Sequence, residues 1–189
     1  MLKAQWIEKR RHIAGAMNAP RVRLTGVDEG LDVVVQTRIR GAEDGERIAQ
    51  AFRALFPDAQ DVAWPGKPTY PSEQDISIEV QQVPLDTVLT KLHEQRILDT
   101  ALDAMGANLD GDVTTFTVER VAAMAGKVTF GLPGHAPLGG VFTIEIRGEG
   151  LADWLLAATH HPGRAHVPRQ LGDERAMDGD GEAVTWFER

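Results

Sequence analysis
The residues able to do chemistry in this chain are few and widely scattered. There is no cysteine, which removes disulfide frameworks, thiolate zinc sites, iron–sulfur clusters and a cysteine nucleophile together. Serine occurs only at Ser72 and Ser77, neither inside the G-x-S-x-G turn that exposes a hydrolase nucleophile. His160, His161 and His166, with Asp173, invite a metal. Adjacent histidines point apart in regular structure, however, and no His-x3-His spacing puts two ligands on one helical face. "PGKPT" at 65–69 lacks the G-x4-G-K-[ST] spacing of a phosphate loop. Asp178, Asp180 and Glu182 of "DGDGE" suit calcium in type, without the rest of an EF-hand ladder. Asp99 and Asp103 lie four apart in a helical pattern and form a carboxylate pair. A solvated helix face explains that pair more simply. No catalytic, metal or cofactor constellation emerges, so the expectation is a non-enzymatic protein without cofactor or small-molecule substrate.

Binding is the remaining class. Arg96, Arg120 and Lys127 lie in or close to the stretch "FTVERVAAMAGKVTF" at 116–130, and Arg10 and Arg11 lie in a basic N-terminal arm. Cations of this kind contact phosphate, and Trp64, Tyr70 and Phe116 offer aromatic faces on which single-stranded bases stack. The stretch at 116–130 also has an apolar clasp at each end and a small-residue centre closed by Gly126, which reads as a packing unit. Charge weighs against nucleic acid as a whole: the net charge is −8 and the pI near 5.2. Residues 1–30 hold six basic and three acidic residues, whereas 31–160 hold ten and nineteen. A phosphate contact therefore needs its cations gathered on one face.

These residues must be positioned by a small set of elements. "LDVVVQTRI" alternates as a strand, and "EDGERIAQAFRALFP" puts Ile48, Ala51, Phe52 and Leu55 on one helical face before Pro57. A Pro/Gly-rich loop, "DVAWPGKPTYPSEQ", leads to the strand "DISIEV". Pro84 opens the longest predicted helix, whose apolar stripe runs through Leu85, Val88, Leu89, Leu92, Ile97, Leu98, Ala101, Leu102 and Met105. "VTTFTV" predicts a strand, "ERVAAMA" a short helix and "KVTF" another strand. After the turn "GLPGHAPLGG", "VFTIEI" predicts a strand with Phe142, Ile144 and Ile146 on one side, and "GLADWLLAAT" closes as a helix. This order predicts an α+β fold with a mainly antiparallel sheet.

The length of 189 residues suits one domain with peripheral ends. The division expected is a basic N-terminal extension at 1–30, a single α+β domain at 31–160 and a polar C-terminal tail at 161–189, with Trp186 and Phe187 able to pin its end. No apolar run reaches the roughly 20 residues of a spanning helix, and the basic N-terminus lacks an apolar signal core. No membrane partner and a cytoplasmic setting are therefore expected.

Five blocks carry a resemblance: "ALFPDA", "EQRILDTALDAM", "TFTVERVAAMAGKVTF", "PLGGVFTIEI" and "DWLLAAT". In this order and spacing, from about 31 to 159, the chain resembles an archaeal family described as predicted RNA-binding and as predicted exosome-associated. That family is similar in fold to the large-subunit ribosomal protein that binds 5S RNA. The resemblance implies a curved, mainly antiparallel sheet backed by helices, and an RNA or ribosome partner. Against the family pattern, Leu102 stands where arginine is usual, and Glu119 and Val121 stand where polar amides are usual, changes that weaken phosphate contact. The leading expectation is an RNA- or ribosome-associated binding protein touching phosphate through Arg96, Arg120, Lys127, Arg10 and Arg11. The alternative is a protein-interaction or homodimerisation module that binds no nucleic acid.

Overall fold
A computed structural model describes residues 23–172 except 133, 135 and 136. Four strands, β1 (Asp32–Gly41), β2 (Gln74–Gln81), β3 (Val113–Glu119) and β4 (Val141–Arg147), form one sheet in the order β2-β1-β4-β3. Every neighbouring pair is antiparallel, so the fold is α+β with an open antiparallel sheet. Alternation dictates which side is covered. Val33, Val35 and Ile39 of β1, Thr114, Phe116 and Val118 of β3, and Phe142, Ile144 and Ile146 of β4 are all buried on one face. The intervening positions, including Gln36, Arg38, Arg40, Glu79 and Thr143, make a polar open face.

Five α-helices are described: α1 (Gly45–Leu55), α2 (Asp86–Gln95), α3 (Leu98–Gly106), α4 (Arg120–Met124) and α5 (Leu151–Ala158). Helix α1 begins where the Asp44 carboxylate accepts the Glu46 N–H at 3.0 Å, satisfying an amide that the helix leaves open. Its Phe52 meets Phe56 and Phe142, with ring centroids 5.0 and 5.7 Å away. Gly45 is needed at its start because a Cβ there would run into the Pro65 carbonyl and ring. Helix α5 contributes Leu151, Trp154 and Leu155 to the same core, and the Trp154 indole donates to Glu29 at 3.0 Å.

Two differences from the sequence pattern matter. The apolar stripe from Leu85 to Met105 belongs to two helices, because the chain turns at Arg96 with φ of 58°. The Arg96 N–H bonds to the His93 carbonyl and the Ile97 N–H to that of Leu92, at 3.2 and 3.1 Å. This is the left-handed helix ending that glycine normally makes. The "KVTF" strand is reduced to a bridge between Phe130 and Val118, in which Glu119 N donates to the Thr129 carbonyl and Gly131 N to that of Thr117. The Phe116 and Phe130 rings close this return at 5.9 Å, so the apolar clasp of 116–130 is a packing unit. Among the described residues no helix is long and apolar enough to cross a membrane.

Candidate nucleic-acid interface
Two of the expected cations, Arg96 and Lys127, each adjoin one residue of a single contact between α2 and the loop after α4. At the end of α2 the Gln95 amide donates to the Val128 carbonyl and accepts the Val128 N–H, both at 2.8 Å. One turn earlier, Lys91 Nζ donates to the Gly126 carbonyl at 3.0 Å. These bonds dock the 126–128 loop on α2 and set Lys127 beside the α2–α3 bend. Arg96 and Lys127 are both exposed, and neither is held by a carboxylate among the described residues. Most other arginines are so held: Arg38 and Arg40 by Asp75, Arg53 by Glu46 and Asp61, and Arg147 by Glu145.

Arg120, the third cation expected to meet phosphate, is placed otherwise, inside the fold. Its residue is 3% exposed. The guanidinium donates to the Thr37 hydroxyl at 3.3 Å, to the Arg38 carbonyl at 3.2 Å, and to the Gly139 carbonyl and the Glu43 carboxylate. Burial pulls its pKa below the ordinary arginine value, and the Glu43 charge and hydrogen bond oppose that pull. Gly140, at φ of 72°, leaves room for it, since a Cβ there would strike the guanidinium. Arg120 is thus an internal clamp joining β1, the turn before α1 and the approach to β4. Arg10 and Arg11 lie outside the described residues. Of the aromatics, Phe116 is buried and Trp64 packs on Phe52 at 5.3 Å, leaving Tyr70 widely exposed.

The carboxylates of α3 hold the chain's own C-terminal segment. Asp99 accepts from Arg164 at 3.1 Å and lies 3.0 Å from His161 Nε2, and Asp103 pairs with Arg169. Three residues on, Leu171 lies against Gly106, where a Cβ would come within 2.7 Å of its methyl. Residues 99, 103 and 106 share one helical face, so the segment from 161 to 172 runs along α3 as a strap. Partial burial alone would raise the Asp99 pKa, but hydrogen bonds from His161 and Arg164, with their charges, outweigh it and hold the carboxyl below its usual range. His161 is therefore drawn to Asp99, while Asp173, weighed as a metal ligand together with His160, His161 and His166, lies outside the described residues. Among the described residues no cluster of three or more such ligands occurs.

Two depressions flank these features. One, of about 600 Å³, lies over the open sheet face and is lined by Arg38, Glu43, Glu79, Arg120 and Leu138. The other, of about 1050 Å³, is a more apolar groove between α3 and the β3 edge. Ile97, Ala104, Phe116, Val128 and Phe130 line it, and its Gln95–Val128 end abuts Arg96 and Lys127.

No family model matches the chain. Two relatives, each named UPF0201 protein, come from the archaea Sulfurisphaera tokodaii and Metallosphaera sedula. They are 31% identical over 136 residues and 30% over 134, each covering 67% of this chain and 88% of the relative. The fold agrees with two crystal structures. A UPF0201 protein matches with TM-score 0.53 and 21% identity over 66% of this chain and 89% of that one. The UPF0201 protein from Methanococcus jannaschii matches with TM-score 0.56 and 21% identity over 70% and 96%. With these relatives matched over nearly their whole length, the chain belongs to the archaeal UPF0201 family.

Proposed function
We propose that the chain is a non-enzymatic RNA-binding protein whose phosphate contact is the corner formed by Arg96 and Lys127, with Lys91 holding the loop between them. The observation that carries the reading is the conformation of Arg96. A side chain in the left-handed region is strained by roughly 1 kcal/mol relative to glycine, yet this exposed turn carries an arginine at φ of 58°. Strain of this kind gathers at functional positions, and here it presents an exposed cation beside a second one. An acidic chain offering two such charges binds weakly and with strong salt dependence, losing slightly less than one power of salt per phosphate neutralised.

Fluorescence anisotropy against single-stranded and structured RNA, across a salt series, tests this. Arg96→Gly removes the cation while relieving the backbone, and Lys127→Ala removes its neighbour. Each is expected to weaken binding and to reduce the salt slope by about 1. Wild-type affinity in both variants, or no binding by the parent at low salt, would refute the proposal. Loss of binding only on removal of residues 1–16 would place the contact on the basic arm instead.

A second reading, self-association, rests on a different observation. Val121 and Met124 on α4, 55% and 52% exposed, and Leu138, 95% exposed, are apolar side chains on one end of the sheet, with Val121 lying over Gly139. Burying such a patch is a common basis of dimers. Sedimentation equilibrium of Leu138→Glu and Met124→Glu against the parent tests it, since only a dimer through this patch loses mass.

A further inference from the structure
We infer that the outer edge of β2 is an interaction surface for a second copy of this chain, which adds its own β2 antiparallel in a register centred on Ile78. The sheet order leaves β2 at one margin, paired with β1 on its inner side. The opposite margin is covered, since Asn108 and the 129–131 return bond to β3. Among the described residues no backbone partner lies on the outer side of β2. Edge strands are commonly guarded by lysine, proline or a bulge. Yet "QDISIEVQ" contains neither residue, and it pairs with β1 without interruption from Gln81 to Gln74. Its two charges are answered within the chain: Asp75 meets Arg38 and Arg40, and Glu79 accepts the Gln36 and Gln81 amides at 2.9 and 3.2 Å. The apolar layer also runs out at this edge. Ile76 and Ile78 share the covered side with Val80 and lie opposite Ile39 and Thr37 of β1. Ile39 is wholly buried and Thr37 nearly so, whereas Ile76 is 36% exposed and Ile78 is partly exposed. A neighbouring strand with the same alternation continues that layer.

Charge and alternation specify the register. Side chains change face at every residue, so only registers that pair even positions with even ones bring the two covered sides together. Two such antiparallel registers use nearly the whole strand. One, centred on Ser77 and using 74–80, sets Asp75 opposite Glu79 of the second copy, twice over, and Gln74 opposite Val80. Like charges directly opposed destabilise a strand pair. The other, centred on Ile78 and using 75–81, sets Ile78 opposite itself, Ile76 opposite Val80, Glu79 opposite Ser77 and Asp75 opposite Gln81. Each apolar residue then meets an apolar one, and each acid meets a neutral hydrogen-bonding side chain. Because both acids are already held, the edge calls for no cation from outside, which suits a second copy better than a basic segment of another protein. The two-fold axis through Ile78 makes the contact isologous and closes it at two copies. The product is one antiparallel sheet of twice four strands, within the range of open sheets.

Ser77 lies on the exposed open face, so its substitution probes the register without entering the core. In the full-length chain, Ser77→Lys sets a lysine opposite Glu79 of the second copy in both symmetric pairs, and Ser77→Glu sets a like charge there. Sedimentation equilibrium across a concentration series reads the dimer Kd, and thermal melting checks that each variant is folded. The expected result is a concentration-dependent dimer for the parent, about 2- to 30-fold tighter in Ser77→Lys and weaker by a similar factor in Ser77→Glu, the range set by two cross-strand pairs. Weakening by both variants would overturn the register, because a pair centred on Ser77 opposes each new charge to itself. A monomer in the parent and in Ser77→Lys alike would overturn the inference. So would a dimer indifferent to both variants and lost in Leu138→Glu, because the interface would then be the α4 patch. The measurement contains no RNA, so it stands or falls separately from the proposed phosphate contact.

Discussion
Replacing Glu43 by glutamine should destabilise the fold more than its half-exposed position suggests. Among the described residues the carboxylate is the one anion on the Arg120 guanidinium, whose residue is 3% exposed. Glutamine keeps the shape and a carbonyl acceptor but removes the charge, leaving a buried cation supported only by neutral oxygens. Removing one partner of a buried pair costs about 3–5 kcal/mol. The Glu43 side chain is 30% exposed, so water screens part of the attraction and about 2–3 kcal/mol is a better expectation. Arg120→Met deletes the buried cation and fills much of its volume, at a similar magnitude, because the Gly139 and Arg38 carbonyls lose their donor. The double variant should then be less destabilised than the sum, by about 1–3 kcal/mol, since glutamine is harmless once the guanidinium is gone. Urea unfolding followed by tryptophan fluorescence reads this as midpoint shifts of about 1 M for the single variants. Additivity within about 0.5 kcal/mol would refute the clamp, and so would a neutral Arg120→Met.

The remaining predictions are local. Gly45→Ala should lose about 1–3 kcal/mol by overpacking against Pro65, despite alanine's better helix propensity, as measured by thermal melting. Phe142→Ala, at a position wholly buried against Phe52 and Phe56, should cost about 3–5 kcal/mol in the same measurement. Arg96→Gly should leave stability unchanged or raise it by up to about 1 kcal/mol. A fall in its unfolding midpoint would show that the left-handed turn is not strained. The Asp99 pKa is depressed in the folded chain, so the strap contact is at full strength above about pH 4 and is lost as pH falls through the lower folded value. The protection of the 161–171 amides, taken against the intrinsic exchange rate at each pH, should therefore fall at acidic pH, and Asp99→Asn should show the same loss of protection at neutral pH.

Much of the sheet was legible because its information is local. The alternation of "LDVVVQTRI" and "VFTIEI" names the buried side chains Val33, Val35, Ile144 and Ile146 outright, and Ile48, Phe52 and Leu55 mark the inner face of α1. The break at Arg96 was hidden because its left-handed turn uses a residue with no turn preference, inside a stripe that continues on both sides. The internal place of Arg120 was hidden for a different reason. Its partners Thr37, Glu43 and Gly139 lie 83, 77 and 19 residues away, and no local pattern encodes such a meeting. Arg96 and Lys127 were selected as single cations, but their nearness depends on Gln95, whose amide has no signature until Val128 is opposite it. The packing of the residues after 160 was hidden in the same way. Arg164, Arg169 and Leu171 bind the segment to 172 onto α3, through carboxylates whose spacing was visible but whose partners were not.

The clamp around Arg120 also sets an order of events. Its acceptors sit on β1, in the turn after it and before β4, so the guanidinium finds its place only after β4 has registered against β1. A contact spanning that much chain forms after the shorter loops have closed. It should belong to the native state far more than to the folding transition state, so weakening it should leave the folding rate nearly untouched and quicken unfolding. The buried arginine is in that sense a latch on lifetime: it governs how long a folded molecule stays folded, and hence how rarely its core is offered to a protease when opening is slow to reverse.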